Sequence, residues 1–383
     1  MRIAHVANFY GPRSGGLRTM MNRLGRGYVE SGHEVLHIVP GSEFNREWTE
    51  SGLRLTIPGR LLAGSGGYRV IVNVARVRRI LAEFSPDALE VSDRFTLVSL
   101  GDWARENKVG SVVFSHETLT GLSETFLKAP FLTNTPVNWW NHRLAKRFDR
   151  VVATTRFAAR EFERLGIDNL VRIPLGVDLQ TFHPSHRDDA LRKALLQGAD
   201  TLLVHCGRLS PEKRADRSVE AAIELVRRGH RIRLVVVGDG PTRESLECLA
   251  GGTAVDFLGF VHERDRLAAI LASADVVLAP GPLETFCLAA LEALASGTPV
   301  VASESSAVRE VLGVDESSDP VGAIAADNAS AFADAIEHAL STGVDLRRSA
   351  ARRRAEQFPW SSTVSQMLRL HSGTPYRPLT RAA

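Results

Sequence analysis

The chain has 383 residues, of which 44% are hydrophobic, and this length and composition predict two domains with separate cores. A formal net charge of +3 and a pI near 8.9 give no reason to expect nucleic acid as a partner. Three cysteines in no metal-ligand spacing indicate a reducing compartment. The sequence has no signal-peptide pattern and no run near the ~20 apolar residues of a membrane span, so we expect a cytoplasmic protein.

The first half of the chain alternates strands and helices. Residues 3–8 predict a strand, which a glycine-containing loop joins to a helix over 17–30 and then to a strand over 35–39. A loop with four glycines at 59–67 precedes a predicted helix over 68–84. The further strands predicted in this half are 88–91, 111–115, 150–153 and 171–173. This order indicates a parallel sheet.

A second alternation begins after the charged segment 185–200, where we place the domain boundary. The predicted elements are strands at 202–205, 232–237, 255–258, 275–279 and 299–302, with a helix over 215–228. The domains are then 1–184 and 185–359, and a final helix within 360–383 is expected to pack back on the first domain. The predicted fold class is α/β, with two doubly wound Rossmann-like domains facing one another across a cleft.

Glycines at the starts of two predicted helices suggest phosphate or sugar binding. Gly15 and Gly16 open the first helix, where exposed amides and the absence of side chains permit close approach of a ligand. They lack the G-x-G-x-x-G spacing, and an ordinary first turn accounts for them equally well. The turn that begins at Gly238 is open to the same two interpretations.

Two cations follow the first strand of the second domain. Arg208 offers a planar fork and Lys213 a compact charge, a combination that suits the oxygens of a diphosphate. Cations on a loop are often only solvated, so this alternative stays open.

The segment 280–297 contains two carboxylates, Glu284 and Glu292, with seven residues between them. We interpret it as a loop entering a helix that presents both carboxylates on one face, near the amides of residues 285–288. Glu284 would accept hydrogen bonds from sugar hydroxyls, and Glu292 would hold the two hydroxyls of a ribose. The alternative is a capping glutamate and a solvated one, but the alanine- and leucine-rich surroundings of Glu292 require a partner for that carboxylate.

These motifs, in this order, resemble the retaining glycosyltransferases of family GT4, whose fold is GT-B. The resemblance covers nearly the whole chain, and the segments 6–19 and 278–286 are similar to mycobacterial mannosyltransferases of phosphatidylinositol mannosides. The residues that carry it are Gly15-Gly16, Gly176-Val177-Asp178 with Phe182 and Pro184, Gly207-Arg208, Lys213, Val237 to Pro241, Gly259 to Val261, Glu284 and Glu292.

The resemblance implies a site for a nucleotide sugar. Arg208 and Lys213 would bind the pyrophosphate, Glu292 the ribose and Glu284 the transferred sugar. Gly16 would lie at the β-phosphate and His116 at the reacting centre, whereas Glu117 is expected to be structural; a lone histidine at a strand end is also often just a satisfied polar group. Contacts with the base, sugar or phosphate would come from Gly15, Gly238, Val261, Phe286, Cys287 and Leu288.

Some positions depart from the family pattern. Cys287 replaces a smaller residue, and Ser92-Asp93-Arg94 stands where many relatives have a His-x-His strand end. Tyr10, Arg13 and Asp93 are therefore candidates for the acceptor side by position only. Basic and apolar residues over 68–80, and the pair Trp139-Trp140, suggest surfaces for peripheral contact with the inner face of the plasma membrane. For each segment alone, a core-facing helix with a solvated basic edge is the slightly favoured alternative.

The expected reaction is retaining, metal-independent transfer of a hexose, with GDP-mannose as the expected donor and a UDP-sugar as the alternative. The acceptor would be a hydroxyl of a lipid-linked molecule, polyol or glycan. Cations at the leaving phosphate can replace a metal, and the chain has no Asp-x-Asp pair. A nucleotide-sugar epimerase and a non-catalytic nucleotide-sugar-binding protein on the same fold remain alternatives.

Overall fold

The structure, a computed structural model, describes residues 1–11, 15–62, 67–116, 134–252, 254–316, 319 and 321–373. The chain forms two compact units, of which the second is Gly176–Pro359 and the first contains Met1–Leu175 and the helix that begins at Trp360. The second unit thus begins before residue 184, where the predicted first domain ends. The Val177 amide donates to the Phe358 carbonyl at 2.8 Å and joins the start of the second unit to its end.

The first unit contains these strands: β1 (Arg2–Ala7), β2 (Glu34–Gly41), β3 (Asn45–Thr49), β4 (Gly52–Pro58), β5 (Arg60–Leu61), β6 (Arg69–Val70), β7 (Ala88–Ser92), β8 (Gly110–Ser115), β9 (Arg150–Ala153) and β10 (Leu170–Arg172). Its helices up to residue 175 are α1 (Gly16–Glu30), α2 (Val74–Phe84), α3 (Leu100–Glu106), α4 (Asn134–Ala145) and α5 (Arg156–Glu163). The main sheet has the order β10-β9-β8-β7-β1-β2-β4-β3 and is parallel except for β3.

The second unit contains strands β11 (Thr201–Cys206), β12 (Ile232–Val237), β13 (Val255–Gly259), β14 (Val276–Ala279), β15 (Val300–Ser303) and β16 (Gly322–Ala325). Its helices are α6 (Asp189–Leu196), α7 (Ala215–Arg227), α8 (Arg243–Ala250), α9 (Arg264–Ser273), α10 (Leu288–Ala295), α11 (Val308–Leu312), α12 (Ala329–Ser341) and α13 (Val344–Ala355). The sheet is parallel in the order β13-β12-β11-β14-β15-β16. This is the order of a doubly wound Rossmann sheet, so the predicted fold class is confirmed for each unit.

The predicted helix over 68–84 is wrong in its first turns. Residues Arg69–Val70 form β6, which pairs antiparallel with β5, and α2 begins only at Val74. The run before α2 is rich in β-branched residues that favour strands, and the Asn73 side chain then accepts the Arg76 amide at 3.0 Å as the helix cap. The antiparallel edge formed by β3 and β4 has no counterpart in the predicted elements.

The last helix, α14 (Trp360–His371), lies on the first unit against α1. The two helices approach closely at Gly27, where an added Cβ would lie 2.4 Å from Cγ2 of Val364. Val364 and Met367 are buried in this contact. The closeness of α1 and α14 therefore depends on the absence of a side chain at Gly27.

We expect Gly27→Ala to lower the thermal midpoint. Overpacking costs about 1–3 kcal/mol, which outweighs the gain of about 1 kcal/mol in helix propensity. Val364→Ala removes the atoms that clash, so the double variant should lose less stability than the two single variants together. Denaturant unfolding of the four proteins measures the coupling, and strictly additive losses would contradict the contact.

Candidate functional site

The strand order of the second unit reverses between β11 and β14. The chain leaves these adjacent strands toward opposite edges of the sheet, and their loops separate to leave a crevice at the carboxyl ends, where ligands of doubly wound sheets bind. The loop after β11 carries Arg208 and Lys213, and the loop after β14 carries Glu284. Residues 71 positions apart in sequence thus lie at one topological switch point.

Lys213 and Glu284 form the central ion pair of this site. The ammonium donates to Oε1 of Glu284 at 2.7 Å, with 34% of the lysine side chain and 16% of the glutamate side chain exposed. Burial lowers the pKa of Lys213, but the charge and hydrogen bond of Glu284, together with other nearby groups, raise it, and the net pKa lies above its usual value. Lys213 is therefore a fixed cation that is still open to solvent.

The prediction that Glu284 and Glu292 share a helix face is wrong. Helix α10 begins at Leu288, so Glu284 lies in the preceding loop, where its carbonyl accepts the Ala307 amide at 2.9 Å. Cys287 precedes the helix with φ of 68°, a left-handed conformation that a residue with a Cβ seldom adopts. Cys287 thus marks the end of the loop that carries Glu284 and the start of α10.

Glu292 has the partner that its apolar surroundings require. Arg264, the first residue of α9, donates to Glu292 Oε1 at 3.0 Å, and its guanidinium also lies 4.9 Å from the centre of the Phe182 ring. Only 12% of the Glu292 side chain is exposed. The nearby Cys206 thiol has its pKa raised to about 12 by burial and then by the Glu292 charge, and therefore stays protonated.

Glycines bring the loops after β11 and β12 into backbone contact. A Cβ at Gly238 would lie 1.8 Å from the Gly207 carbonyl oxygen, and one at Gly240 would lie 2.2 Å from that of Leu209. Gly238 also has φ of 141°, which side chains rarely adopt. Packing alone therefore explains why Gly238 is a glycine, and its predicted ligand contact stays a prediction.

The other donor-side candidates lie around the same strand ends. Phe286 is buried and faces the Phe358 ring, with 6.2 Å between ring centres, so only its backbone remains for a ligand. Val261 and Leu288 are half-buried. Burial, followed by the charge of Glu284, raises the pKa of Cys287 well above its usual value, so this thiol is protonated and unreactive.

The first unit has its own reversal of strand order, between β1 and β7. Tyr10 follows β1, and its hydroxyl donates to Asn22 at 3.0 Å and accepts from Arg54 at 2.7 Å. Gly15 and Gly16, at the start of α1, are exposed, and an added Cβ at Gly15 meets no described atom within 4 Å. The described packing thus does not require a glycine at residue 15.

Asp93 and Arg94, after β7, are largely committed to the fold. Oδ2 of Asp93 accepts the amides of Phe95 and Leu97 at 2.9 and 2.8 Å, while its buried Oδ1 has no partner among the described residues. Arg94 is buried and donates to Asn141 and Glu161. Arg13 and Glu117, which the sequence also singles out, lie outside the described residues.

His116, at the end of β8, belongs to a buried polar chain that the sequence reasoning missed. Its Nε2 lies 2.8 Å from Ser92 Oγ, which also lies 2.8 Å from Nε2 of His5. His5 Nδ1 pairs with Glu90 Oε2 at 2.8 Å. Burial and then the charges of His5 and Arg94 lower the pKa of His116 to about 3, so its imidazole is neutral.

The structure brings some of the predicted residues together within each unit, and the roles predicted for them stay predictions. In the second unit Lys213 meets Glu284 directly, and in the first unit His116 lies beside the strand end that carries Asp93. Sequence reasoning missed Arg264, His5 and Glu90. The available signal was a histidine and a glutamate inside otherwise apolar strands, since buried charged residues need partners.

Two family models match the chain in succession. Residues 15–176 match the model described as "Glycosyl transferase 4-like domain", and residues 186–357 match "Glycosyl transferases group 1". These matches fall on the first and the second unit respectively.

Two curated relatives and one solved structure extend the comparison. A protein of Mycobacterium tuberculosis (strain ATCC 25177 / H37Ra) named GDP-mannose-dependent alpha-(1-6)-phosphatidylinositol dimannoside mannosyltransferase is 48% identical over 96% of this chain and 95% of its own. A GDP-mannose-dependent alpha-mannosyltransferase of M. tuberculosis (strain CDC 1551 / Oshkosh) is 30% identical over 82% of this chain and 81% of its own. Sucrose-phosphate synthase from Thermosynechococcus elongatus superposes with a TM-score of 0.78 at 19% identity, covering 97% of this chain and 98% of its own. The chain belongs to the GT4-type family of glycosyltransferases and has their GT-B fold.

Proposed function

We propose that this protein transfers mannose from GDP-mannose to a hydroxyl of a mannosylated phosphatidylinositol. The observation that carries the proposal is the 48% identity, over nearly the full length of both chains, to a relative whose name states that donor and that acceptor class. The relative at 30% identity is also named for GDP-mannose. These names favour a guanine nucleotide over the UDP-sugar alternative.

In this proposal the ion pair at the switch point serves the leaving group. Departure of GDP places negative charge on the β-phosphate, and a cation held nearby stabilises that charge more in the transition state than in the ground state. Lys213 is such a cation, because Glu284 fixes its ammonium while part of the lysine remains exposed. Arg208 would contact the same diphosphate, and Gly16 would lie at the β-phosphate.

The carboxylates of Glu284 and Glu292 would bind the two sugars of the donor. Glu284 has a second carboxylate oxygen, Oε2, beyond the one bonded to Lys213, and would accept a mannose hydroxyl there. Glu292 would hold the ribose, which requires the ribose to share or displace Arg264. Backbone amides at the start of α10 would add donors for a sugar or phosphate oxygen.

The proposed transfer retains configuration at the anomeric carbon. The bond from C1 of mannose to the β-phosphate oxygen breaks, and the acceptor oxygen bonds to C1 on the same face. The acceptor proton passes to an oxygen of the leaving phosphate, so no protein nucleophile or base is needed.

Exposed apolar residues at the β5–β6 hairpin of the first unit suit a lipid acceptor. The β5–β6 hairpin is joined to the end of β2 by a hydrogen bond from the Gly59 amide to the Gly41 carbonyl. Leu61 and Val72 are 52% and 58% exposed at this hairpin. Arg76 covers the exposed Phe44 ring at 5.0 Å, which adds positive charge to the surface.

We propose that this surface, formed by Phe44, Leu61, Val72 and Arg76, touches an anionic membrane from its cytoplasmic side. Trp139, with Arg143 at 5.5 Å from its ring centre, is a second exposed aromatic residue. Trp140 instead turns inward and donates to the Arg94 carbonyl at 2.8 Å. Among the helices in the described ranges, none is long and apolar enough to cross a membrane.

Donor specificity tests the proposed reaction directly. With a phosphatidylinositol dimannoside acceptor, we expect turnover with GDP-mannose and little with UDP-glucose, UDP-galactose or ADP-glucose. The new linkage should have the α configuration of the donor, as NMR of the product would show. Binding of GDP-mannose without turnover would favour a sensor, and release of an epimerised nucleotide sugar would favour an epimerase. An inverted linkage in the product would exclude the retaining mechanism.

Lys213→Ala should lower kcat by about 10²–10³-fold, the usual cost of removing one transition-state donor. Glu284→Gln should lower kcat less, because the amide keeps one acceptor for the sugar while Lys213 loses its fixed position. Lys193→Ala removes the same charge from an exposed position on α6 and serves as the matched control. Steady-state kinetics measure kcat for the variants and the control. A Lys213→Ala enzyme as active as the control would remove Lys213 from the mechanism.

Leu61→Ser combined with Val72→Ser should reduce sedimentation with phosphatidylinositol-containing vesicles by at least about tenfold, since each buried aliphatic side chain contributes about 1.5–3 kcal/mol. The matched control is Leu346→Ser with Val344→Ser, which removes equally exposed residues from the second unit. The wild-type protein should also bind less at high salt and on phosphatidylcholine alone. Equal sedimentation of both double variants would refute the lipid contact.

A further inference from the structure

The loops after β14, β15 and β16 are joined by a buried arginine of α7. Arg217 lies in the first turn of this helix, and only 5% of the residue is exposed. Its Nη1 donates to the carbonyl of Pro280, directly after β14, at 3.1 Å and to Oδ1 of Asp327, after β16, at 2.7 Å. The hydroxyl of Ser303, the last residue of β15, donates to the same carboxylate oxygen. One guanidinium and one carboxylate thus connect the carboxyl ends of three neighbouring strands.

These contacts hold the loop that carries Glu284 at two points. The first is the carbonyl of the buried Pro280, four residues before Glu284, which the guanidinium binds. The second is the carbonyl of Glu284 itself, which accepts the Ala307 amide at 2.9 Å. The turn that leads to Ala307 begins at Ser303, whose side chain is bonded to Asp327. The carboxylate of Asp327 is therefore connected to both points.

The first turn of α7 also follows the other partner of the ion pair. Lys213 precedes Arg217 by four residues, and the Arg217 amide donates to the Arg214 carbonyl at 3.0 Å where α7 begins. The two loops touch at Gly281, where an added Cβ would lie 3.4 Å from the Glu212 carbonyl oxygen. The start of α7 thus fixes the loop of Lys213 through the chain and the loop after β14 through a side chain.

Fold stability alone gives no sufficient reason for an arginine at residue 217. Burial, and then the charge of Arg214, lowers the pKa of Arg217, which reflects the cost of a cation in this place. Apolar residues in place of a buried ion pair are often equally stable or more stable. What a guanidinium adds is geometry, because the two hydrogens of one nitrogen meet a carbonyl and a carboxylate in a fixed plane.

We propose that Arg217 and Asp327 are positioning residues, which hold the loop after β14 so that the Glu284 carboxylate meets Lys213. The role of Glu284 toward a sugar rests on the function proposed above, whereas its position beside Lys213 does not. Neither positioning residue needs to touch the donor, because both act through the backbone of the loop. A displaced loop would separate Glu284 from Lys213 and leave the ammonium without its fixed place.

Acylation of Lys213 in the full chain measures the position of Glu284 without any need for turnover. Only the free amine reacts with an N-hydroxysuccinimide ester of acetic acid, and although burial lowers the pKa of Lys213, Glu284 and other nearby groups keep it above its usual value. The chain has five lysines, and the exposed Lys193 is the internal reference in each mass-spectrometric measurement. We expect Arg217→Met to raise the acylation rate of Lys213 relative to Lys193, about tenfold for each unit by which the pKa of Lys213 falls.

Two further variants calibrate this measurement. Glu284→Gln removes the counter-charge and should raise the acylation rate of Lys213 directly. Arg347→Met is the matched control, since Arg347 is also 5% exposed, donates to two backbone carbonyls at the end of α12 and faces Asp275 at 3.9 Å. It should destabilise the second unit to a similar extent and leave the acylation of Lys213 unchanged.

Arg217→Lys keeps the test decisive if Arg217→Met fails to fold. It retains the buried cation, but a point charge on a shorter side chain fits the Pro280 carbonyl and Asp327 less well than a planar fork. The acylation rate of Lys213 should therefore lie above that of the wild type and below that of Arg217→Met. An unchanged rate in the folded Arg217 variants, or an equal rise in Arg347→Met, would overturn the proposal.

Turnover separates this inference from the proposed function. If Glu284 serves the transfer, Arg217→Met should lower kcat with GDP-mannose by about 10- to 100-fold, but by less than about threefold in a Glu284→Ala background, since both changes act on one contact. Equal fold losses in both backgrounds would indicate a general structural role and overturn the proposal. Faster acylation of Lys213 with unchanged kcat would support the positioning role and remove Glu284 from the transfer. A lower kcat with unchanged acylation would overturn the positioning role while leaving the proposed transfer intact.

Discussion

The reversal of strand order in each parallel sheet is the constraint on which both candidate sites depend. At the reversal two adjacent strands send their chains toward opposite edges of the sheet, and the loops at their carboxyl ends separate. In the second unit the Lys213–Glu284 ion pair spans the gap between those loops at 2.7 Å. In the first unit the same reversal places β1 beside β7, which sets His5 opposite Glu90. Sites that differ in chemistry therefore share one topological origin.

Two ion pairs of the second unit each join a cation to one of the candidate-site carboxylates. Lys213 is paired with Glu284 and Arg264 with Glu292, so neither carboxylate is left as an uncompensated ion in a partly buried place. A diphosphate that approaches Lys213 must share that lysine with Glu284, and part of its attraction is offset by the contact it weakens. The arrangement favours a ligand that offers something to both partners, namely phosphate oxygens to the lysine and hydroxyl donors to the glutamate. A nucleotide sugar has both groups on adjacent atoms.

Much of the architecture could be predicted from the sequence, because short apolar runs between glycine-containing turns are typical of buried parallel strands. The predicted strand at 232–237 and the family motifs around Lys213 and Glu284 depend only on local sequence. The position of Glu284 could not be predicted, because α10 begins only after Cys287, which has a left-handed conformation. Cysteine has no preference for that conformation, so the sequence does not indicate it. Similarly, the contact of His5 with Glu90 depends on strand register, and that of His371 with Glu90 on the return of α14. Pairs so distant in sequence leave no local pattern.

The buried carboxylate of Glu90 makes the first unit dependent on its last helix. An ion in that position is tolerable only when donors surround it, and those donors come from three elements: Tyr28 on α1, His5 on β1 and His371 on α14. Removal of one donor leaves a lone pair unsatisfied, whereas an apolar residue at 90 would leave three donors without an acceptor. The polar face of the sheet is therefore complete only when the chain has returned from the second unit and α14 has packed against α1. The cost of this arrangement lies in a buried ion, and the donors that offset it join β1, α1 and α14 around one carboxylate.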